Sequence, residues 1–262
     1  MADPGRTVLS RAIAILDSFS HDRPEQTLTS IVRTTGLAPA TVHRLLAELV
    51  AWGGLERSGR GRYRVGLRLW QLGALAPANR RLRDVALPYL EDLYEVTHQV
   101  VHLAVLDDNQ VLYVEKLAAR PTEDLVSVVS QVGRRLPLHA TGPGKVLLAF
   151  SPPELLDEVI AAGLPRLTAH TITDPDRLRR AIADIRHSKV SLTRDEITVG
   201  ASSVAAPVFD HRGAVTAAVS VVVPSVTTNL ATLVPAVRAA ALGITRTLSL
   251  GAGPPPPSRS AP

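Results

Sequence analysis

The 262-residue sequence contains no cysteine. This absence excludes disulfide bonds, a thiolate nucleophile, and any zinc or iron–sulfur site with cysteine ligands. No apolar run approaches the roughly 18 to 20 residues of a membrane-spanning helix. Residues 1–6 also lack the charged-then-apolar order of a signal peptide. We therefore expect a cytoplasmic protein without a membrane partner.

Sequence motifs of catalysis are missing as well. There is no Gly-x-Ser-x-Gly, no dinucleotide fingerprint and no paired-carboxylate pattern. Gly144-Lys145 is only part of a phosphate loop, because His139 stands where a glycine is needed and no Ser or Thr follows Lys145. His98 and His102 lie four residues apart without a third metal ligand at a suitable spacing. We expect no enzyme activity, no metal and no cofactor; an active site assembled from distant segments is the alternative.

The composition is that of a folded chain. Hydrophobic residues make up 45% of the sequence, charged residues make up 20%, and the mean hydropathy is +0.13. These values exclude a fully disordered protein and are sufficient for a packed core. A length of 262 residues favours two domains over one large domain.

Positive charge is concentrated in the first quarter of the chain. Residues 1–70 hold 10 Arg and no Lys against 6 acidic residues, a net charge of +4. The rest of the chain holds 19 basic and 18 acidic residues, a net charge of +1. Five of the arginines lie between Leu55 and Arg68, where Glu56 is the only acid. Such a segment indicates a polyanion partner, and a solvated arginine-rich hairpin is the alternative.

The apolar periodicity of residues 7–67 predicts a winged helix-turn-helix. Helices are expected over residues 7–19, from an N-cap at Thr29 to Gly36, and from Pro39 to about Trp52. Strands over residues 55–57 and 62–65 then flank a glycine-containing turn, as in a hairpin. A generic three-helix bundle is the alternative interpretation.

In a winged helix-turn-helix, the helix after the turn enters the major groove with its N-terminal half. If the apolar residues of the third helix face the core, its polar and small residues face DNA. The hairpin would reach phosphates or the minor groove through two arginines. The predicted DNA-binding residues are therefore Ala40, Thr41, His43, Arg44, Arg60 and Arg62.

The rest of the sequence predicts an α+β domain. A linker helix is expected over residues 68–76, an interruption at Pro77, and a long helix over residues 80–97. Strands are then expected at residues 100–106, 111–116, 125–129, 204–209 and 215–223. Helices are expected at residues 145–150, 153–162, 175–188 and 230–248. Paired strands flanked by helices favour an antiparallel sheet, and the proline-rich residues 251–262 favour a disordered tail.

Several segments of this chain resemble the IclR family of bacterial transcriptional regulators. In the N-terminal part they are Thr35-Gly-Leu-Ala-Pro-Ala-Thr-Val-His-Arg-Leu-Leu46 and Gly61-Arg-Tyr-Arg-Val-Gly66. In the C-terminal part they are Val132-Gly-Arg-Arg-Leu-Pro-Leu-His-Ala-Thr-Gly-Pro-Gly-Lys145, Gly163-Leu-Pro-Arg-Leu-Thr168, Thr171-Ile-Thr-Asp-Pro175 and Val204-Ala-Ala-Pro-Val208. They follow the order and spacing of the family over about residues 7–250.

The resemblance implies a winged helix-turn-helix domain over residues 1–67, a linker helix over residues 68–79, and a GAF-like effector-binding domain over residues 80–250. It also implies a homodimer or a tetramer formed by two dimers, bound to a double-stranded DNA operator. The effector-binding positions of the family correspond here to Thr141, Gly142, Pro143, Gly144, Thr193, Ser203, Ser220 and Val222. The family often has an acid in place of Thr193, Cys in place of Ser203 and Ser in place of Val222.

The chemistry of these positions favours an organic anion with an apolar body. The four hydroxyl side chains carry no charge, and none of the eight positions is an acid that would repel an anion. Free backbone N–H groups of Gly144 and Lys145 at a helix start would suit a carboxylate. Val222 supplies an apolar wall. The sequence therefore predicts a regulator of a pseudo-palindromic operator that responds to a small carboxylate, such as an aromatic acid; a ligand-binding or enzymatic domain with a solvated basic N-terminus is the alternative.

Overall fold

The computed structural model of the chain describes residues 7–118, 130–226 and 229–250. The chain divides into two compact units, Met1–Arg80 and Arg81–Pro262. The predicted strand over residues 125–129 and the predicted tail over residues 251–262 lie outside the described residues.

The first unit contains four helices and a small sheet among its described residues. The elements are α1 (Val8–Asp17), β1 (Glu25–Thr27), α2 (Leu28–Thr35), α3 (Pro39–Trp52), β2 (Leu55–Ser58), β3 (Arg62–Val65) and α4 (Leu67–Gly73). The strand order is β1-β3-β2, and both pairs are antiparallel. Helix α2, the turn at Gly36 and helix α3 form the predicted helix-turn-helix, and β2 and β3 form its wing.

Local signals set most of these boundaries. The hydroxyl of Thr7 accepts a hydrogen bond from the Ser10 amide and caps α1. Gly36 and Gly53 end α2 and α3 in the left-handed conformation that glycine adopts without strain. The N-cap prediction at Thr29 is wrong, because the hydroxyl of Thr27 accepts from the Ser30 amide and starts α2 two residues earlier.

The second unit surrounds one antiparallel sheet. Its described elements are most of α5 (Pro77–Thr97), whose first four residues belong to the first unit, and then β4 (Val100–Asp107), β5 (Gln110–Leu117), β6 (Arg135–Pro137), a 3-10 turn (Leu138–Ala140), α6 (Gly142–Phe150), α7 (Pro153–Ala161), α8 (Pro175–Ser188), β7 (Ser191–Arg194), β8 (Ala201–Phe209), β9 (Val215–Pro224), a second 3-10 turn (Leu230–Thr232) and α9 (Val234–Leu250). The strand order is β6-β5-β4-β9-β8-β7. The predicted interruption at Pro77 is wrong, because α5 begins at this residue and not near Arg80. Proline suits the first helical position, where the N–H group would have no partner within the helix.

Helices cover both faces of this sheet. One face packs on α5 and α9 through a core that includes Leu90, Leu103, Val219, Val221 and Ile244. The other face packs on α6, α7 and α8 through a second core that includes Ala104, Leu147, Ile182, Ala205 and Ala218. Successive residues of β4 and β9 alternate between the two cores, as the two-residue repeat of a strand requires. The predicted α+β class with an antiparallel sheet is confirmed.

The last helical segment is more apolar than expected. Residues 230–250 are long and apolar enough, by length and composition alone, to span a membrane. In this fold α9 packs on the sheet, and Val237, Ala240, Ala241 and Ile244 are buried in the core. The apolar residues on the sheet-facing side of α9 are thus part of the core of the second unit.

Candidate functional site

The predicted DNA-facing residues of α3 lie on its outer side. Ala40, His43 and Arg44 are exposed and Thr41 is half-buried. On the opposite side Val42, Leu45 and Leu46 are buried in the core of the unit. The guanidinium of Arg44 donates to Glu48 at 2.9 Å on the exposed surface of the helix. The first two turns of α3 therefore present a polar, solvent-facing surface on a helix held by the core.

All four arginines of the wing are exposed, and two of them make contacts with other wing side chains. Arg57 lies over the ring of Tyr63, 5.8 Å from its centroid, and Arg64 donates to Glu56 at 2.9 Å. Arg60 and Arg62 are exposed, and no described residue forms an ion pair with either of them. The backbone of Arg60 is left-handed, with φ of 63°, at the tip of the hairpin. Two unneutralised guanidinium groups are therefore available at this tip.

A small cavity of about 40 Å³ lies in the second unit, beside the start of α6. Six of the eight predicted effector positions line it: Thr141, Gly142, Pro143, Thr193, Ser203 and Val222. The other lining residues are Tyr113, Ser130, Leu136, Glu196, Ile197, Thr198, Ala201 and Ser202. The wall combines apolar side chains with a few polar groups, as the walls of small-molecule sites do.

Two predicted positions, Gly144 and Ser220, do not line the cavity. Gly144 faces the 3-10 turn before α6, where a Cβ atom would lie 2.3 Å from the carbonyl oxygen of Leu138. Ser220 lies within β9, fully buried, between Ala205 of β8 and His102 of β4. Gly144 thus permits a close backbone contact and Ser220 lies inside the sheet, and the prediction that both bind the effector stays a prediction.

The expected free N–H groups at the start of α6 are not free. Thr141 caps this helix, because its hydroxyl accepts from the Gly144 amide at 3.1 Å. Its backbone carbonyl accepts from the Lys145 amide at 3.0 Å. The Thr141 hydroxyl also donates to the carbonyl of Pro137 at 3.2 Å. Since Pro143 has no N–H, Gly142 is the residue of this first turn whose amide is left for a ligand.

Thr193 and Ser203 form a hydroxyl pair in the cavity wall. Their oxygens lie 2.6 Å apart, in directly paired positions of β7 and β8. One hydroxyl donates to the other, so the second retains its own proton for a further hydrogen bond. Gly142 packs against this pair, since a Cβ atom there would lie 2.4 Å from the Ser203 oxygen. The wall thus offers one O–H donor close to the start of α6.

An acid does lie at the cavity, although none of the eight predicted effector positions is acidic. Glu196 lines the cavity, and both of its oxygens accept from the Nζ atom of Lys145, at 2.5 and 2.6 Å. Both side chains are almost completely buried. Burial lowers the pKa of Lys145, while the charge and hydrogen bonds of Glu196 oppose that shift. Since these residues are 51 positions apart, no local sequence pattern could have paired them.

The loop that carries Glu196 is held by several hydrogen bonds. The hydroxyls of Thr168 and Thr171 donate to the carbonyls of Asp195 and Glu196, at 2.6 and 2.7 Å. The carboxylate of Asp195 accepts from the Gly200 amide at 2.7 Å and from the Ser225 hydroxyl at 2.6 Å. The Ser225 bond is the largest contribution to the lowered pKa of Asp195. This side of the cavity is therefore preorganised.

Comparison with known families assigns both units. The family model described as the IclR helix-turn-helix domain matches residues 8–59. The model described as the bacterial transcriptional regulator IclR C-terminal matches residues 75–246. The two matches together cover most of the chain.

Individual relatives support the same assignment. The chain is 34% identical over 252 residues to the HTH-type transcriptional regulator BhcR of Paracoccus denitrificans, covering 95% of this chain and 88% of that protein. It is 31% identical over 222 residues to the HTH-type transcriptional regulator KipR of Bacillus subtilis, covering 84% and 87%. A solved structure of an IclR homologue from Microbacterium hydrocarbonoxydans, complexed with 4-hydroxybenzoate, matches with a TM-score of 0.85 and 36% identity, covering 94% of this chain and all of that one.

Proposed function

The chain belongs to the IclR family of bacterial transcriptional regulators, and we propose that it binds a pseudo-palindromic operator under the control of a small aromatic carboxylate. Its relatives are named transcriptional regulators, so the chain is a regulator rather than an enzyme. The observation that carries the effector proposal is the cavity beside α6, with its apolar wall and its Thr193–Ser203 hydroxyl pair. We expect the protein to act in the cytoplasm.

On DNA, the start of α3 reads base edges and the wing contacts the backbone. Thr41, His43 and Arg44 lie in the part of the recognition helix that reaches bases in this motif. Arg60 and Arg62 supply exposed positive charge for phosphates at the tip of the wing. Ala40 adds a small exposed side chain that permits close approach of the helix to a groove.

A carboxylate would bind where Gly142, Thr193 and Ser203 meet. The unused amide of Gly142 and the remaining hydroxyl proton are hydrogen-bond donors suited to an anion. Glu196 does not repel such a ligand strongly, because Lys145 neutralises it within hydrogen-bond distance. Val222, Ile197 and Leu136 provide the apolar part of the wall. The 4-hydroxybenzoate in the Microbacterium homologue belongs to this ligand class.

Exposed apolar residues of the first unit support self-association. None of the residues of α4 is buried, although the helix carries Leu67, Trp70 and Leu72. On α1, Leu9 and Ile13 are 69% and 47% exposed. Single recognition helices cover few base pairs, so a two-fold symmetric homodimer reading two half-sites is the expected form, with a dimer of dimers as its extension.

A DNA-shift assay with the full chain and the promoter next to its gene tests the operator proposal. We expect operator binding well above binding to random DNA at physiological salt. His43→Ala and Arg44→Ala should change the ranking of operator variants. If the wild type binds this promoter and random DNA with equal affinity, the operator proposal is rejected.

Calorimetry tests the effector. Aromatic monocarboxylates should bind more tightly than short keto acids or dicarboxylates, which leave the apolar wall unfilled. Thr193→Val and Gly142→Ala should each weaken aromatic-acid binding, the first by loss of a hydroxyl and the second by contact with Ser203. Leu192→Ala on the exposed side of the same strand is the control. Preferential binding of an uncharged ligand would contradict the proposal.

A further inference from the structure

The cavity beside α6 is smaller than the effector proposed for it. Its volume is about 40 Å³, whereas binding sites for small organic molecules occupy about 300 to 1,000 Å³. An aromatic acid therefore enters only if part of the wall moves. The start of α6 and the loop after β7 resist such a movement, because Lys145 and Glu196 join them through a buried ion pair at 2.5 and 2.6 Å.

Tyr113 belongs to a part of the wall that is held less firmly. Its ring lies edge to face against His102, with centroids 5.0 Å apart, and packs in the core under α6. A shift of the ring changes these packing contacts without separating an ion pair. Strand β5, which carries Tyr113, has as its outer neighbour β6, a strand of three residues at the edge of the sheet. We therefore expect a ligand that enters the cavity to displace Tyr113 and β5.

A β-bulge connects Tyr113 to the opposite face of the sheet. Tyr113 lies opposite Ala104 and Glu115 lies opposite Leu103, so Val114 is an extra residue in β5. A regular strand would place residues 113 and 115 on one face. With the extra residue, Tyr113 packs in the core under α6, whereas Val114 packs in the core under α5. Bulges redirect side chains in this way next to binding sites.

Glu115, beyond the bulge, is held to α5 by an ion pair. The Nε atom of Arg83 donates to one oxygen of the Glu115 carboxylate. The other oxygen accepts from the Lys116 amide at 3.0 Å. The Glu115 side chain is only 9% exposed, against 57% for Arg83. Because a buried carboxylate requires a cation close to it, a movement of Glu115 either moves Arg83 or breaks the pair.

Helix α5 carries Arg83 close to the boundary between the two units. The helix spans Pro77–Thr97, and the boundary falls after Arg80, three residues before Arg83. Further along, Pro88 has no N–H group, so the helix lacks one backbone hydrogen bond there. Proline is a common site at which helices bend. The first half of α5 can therefore shift with Arg83 while the second half stays packed on the sheet through Leu90.

We propose that the ion pair of Glu115 and Arg83 couples the cavity to the DNA-binding unit. An effector displaces Tyr113, the bulge shifts, and Glu115 separates from Arg83. Helix α5 carries the change to its first four residues, which belong to the first unit. The pair thus has two arrangements, formed beside the small cavity and broken beside an occupied one, as an element that transmits regulation requires.

Both residues act by positioning, because neither of them lines the cavity. The coupling rests on the proposed function, in which an aromatic carboxylate controls operator binding. It adds to that function the side chains through which the effector acts on DNA affinity.

Shift assays with the full chain and the promoter DNA measure the coupling as the ratio of DNA affinities without and with an aromatic acid. The probes are benzoate and 4-hydroxybenzoate, at concentrations that saturate the wild type in calorimetry. In the wild type we expect the two affinities to differ by at least about fivefold. In Arg83→Ala and Glu115→Gln the difference should fall below about twofold, although both variants still bind the acid in calorimetry.

Matched variants separate coupling from stability. Glu115→Gln leaves no buried charge without a cation, so it gives the answer even if Arg83→Ala fails to fold. Arg83→Lys retains a cation and should keep most of the affinity difference. Arg179→Ala breaks another arginine–carboxylate pair, with Asp157, and should leave the difference unchanged. A purely structural role would lower the unfolding free energy of Arg83→Ala without changing its response to the acid.

Hydrogen exchange provides a measurement that needs no effector. Because coupling between two sites is reciprocal, DNA binding should also change the amide exchange rates of β5. Promoter DNA should alter exchange at residues 113–117 in the wild type and leave it unaltered in Arg83→Ala and Glu115→Gln.

The outcomes separate the coupling from the proposed function. A full affinity difference in both Arg83→Ala and Glu115→Gln would overturn the coupling alone. If the promoter DNA binds but neither acid changes its affinity, the aromatic effector is rejected and hydrogen exchange decides the coupling. Unaltered exchange of β5 in the DNA-bound wild type would then overturn it. If the wild type binds neither the DNA nor the acids, both proposals fail.

Discussion

Lys145 and Glu196 form a buried ion pair in which one ammonium group bonds both carboxylate oxygens, at 2.5 and 2.6 Å. The pair links the first turn of α6 to the loop after β7. Glu196 brings a carboxylate to the wall of the cavity, and the ammonium group of Lys145 neutralises that carboxylate. An anionic effector therefore meets a pair of zero net charge instead of a free carboxylate.

Breaking this pair from one side should destabilise the protein strongly. Lys145→Met leaves the Glu196 carboxylate buried without a cation, and we expect a loss of about 3 to 5 kcal/mol in the free energy of unfolding. The double variant Lys145→Met/Glu196→Leu should recover most of that loss, because neither charge is then buried. Urea unfolding measures the free energy of unfolding of both variants. Arg179→Ala, which breaks an exposed pair with Asp157, is the control and should cost under about 1 kcal/mol.

The wing arginines should contribute affinity rather than sequence preference. Arg60→Ala and Arg62→Ala should each weaken binding to all DNA sequences and lower the slope of log affinity against log salt by about one unit. Arg64→Ala should change the slope less, because Glu56 already neutralises that side chain in the free protein. Shift assays at several salt concentrations measure the slopes. Unchanged affinity and slope in the Arg60→Ala/Arg62→Ala protein would contradict the wing assignment.

Self-association should depend on the exposed apolar helices of the first unit. Light scattering of the wild type at micromolar concentration should show a dimer or a tetramer. Trp70→Glu or Ile13→Asp should lower the average mass without unfolding the chain, since both side chains are exposed. Monomer alone in the wild type, with and without DNA, would refute the two-fold symmetric species.

His102 should make the protein less stable in mild acid. Its ring stays neutral in the folded state, where its pKa is about 3, whereas in the unfolded chain it is protonated below about 6.5. The unfolded state therefore binds more protons, and stability falls as the pH drops through this window. Between pH 6.5 and pH 5 we expect a loss of about 2 kcal/mol from this residue. The free energy of unfolding of His102→Asn, measured with urea, should lack this part of the pH dependence. If the wild type and the variant show the same change of unfolding free energy with pH, a neutral buried His102 is contradicted.

Elements with strong local patterns were predictable from the chain alone. The apolar spacing of α3 and α5 and the glycines that end α2 and α3 identify those helices without reference to the rest of the fold. Three short strands were missed: β1, β6 and β7. Their three or four residues show no alternation long enough to be recognised. They are strands because β3, β5 and β8 offer them backbone hydrogen bonds.

The amino-acid sequence was enough to assign the family, the two domain types and eight candidate effector positions, because these depend on short motifs and local periodicity. Tertiary structure alone decided which of those positions face the cavity and which polar groups are already occupied. Thr141 takes up the amide of Gly144, and Ser220 lies inside the sheet opposite His102. Lys145 meets Glu196 across 51 residues. Such pairs depend on burial and on strand register. Contacts between distant parts of the chain determine both, so the residues next to each partner in the sequence do not reveal them.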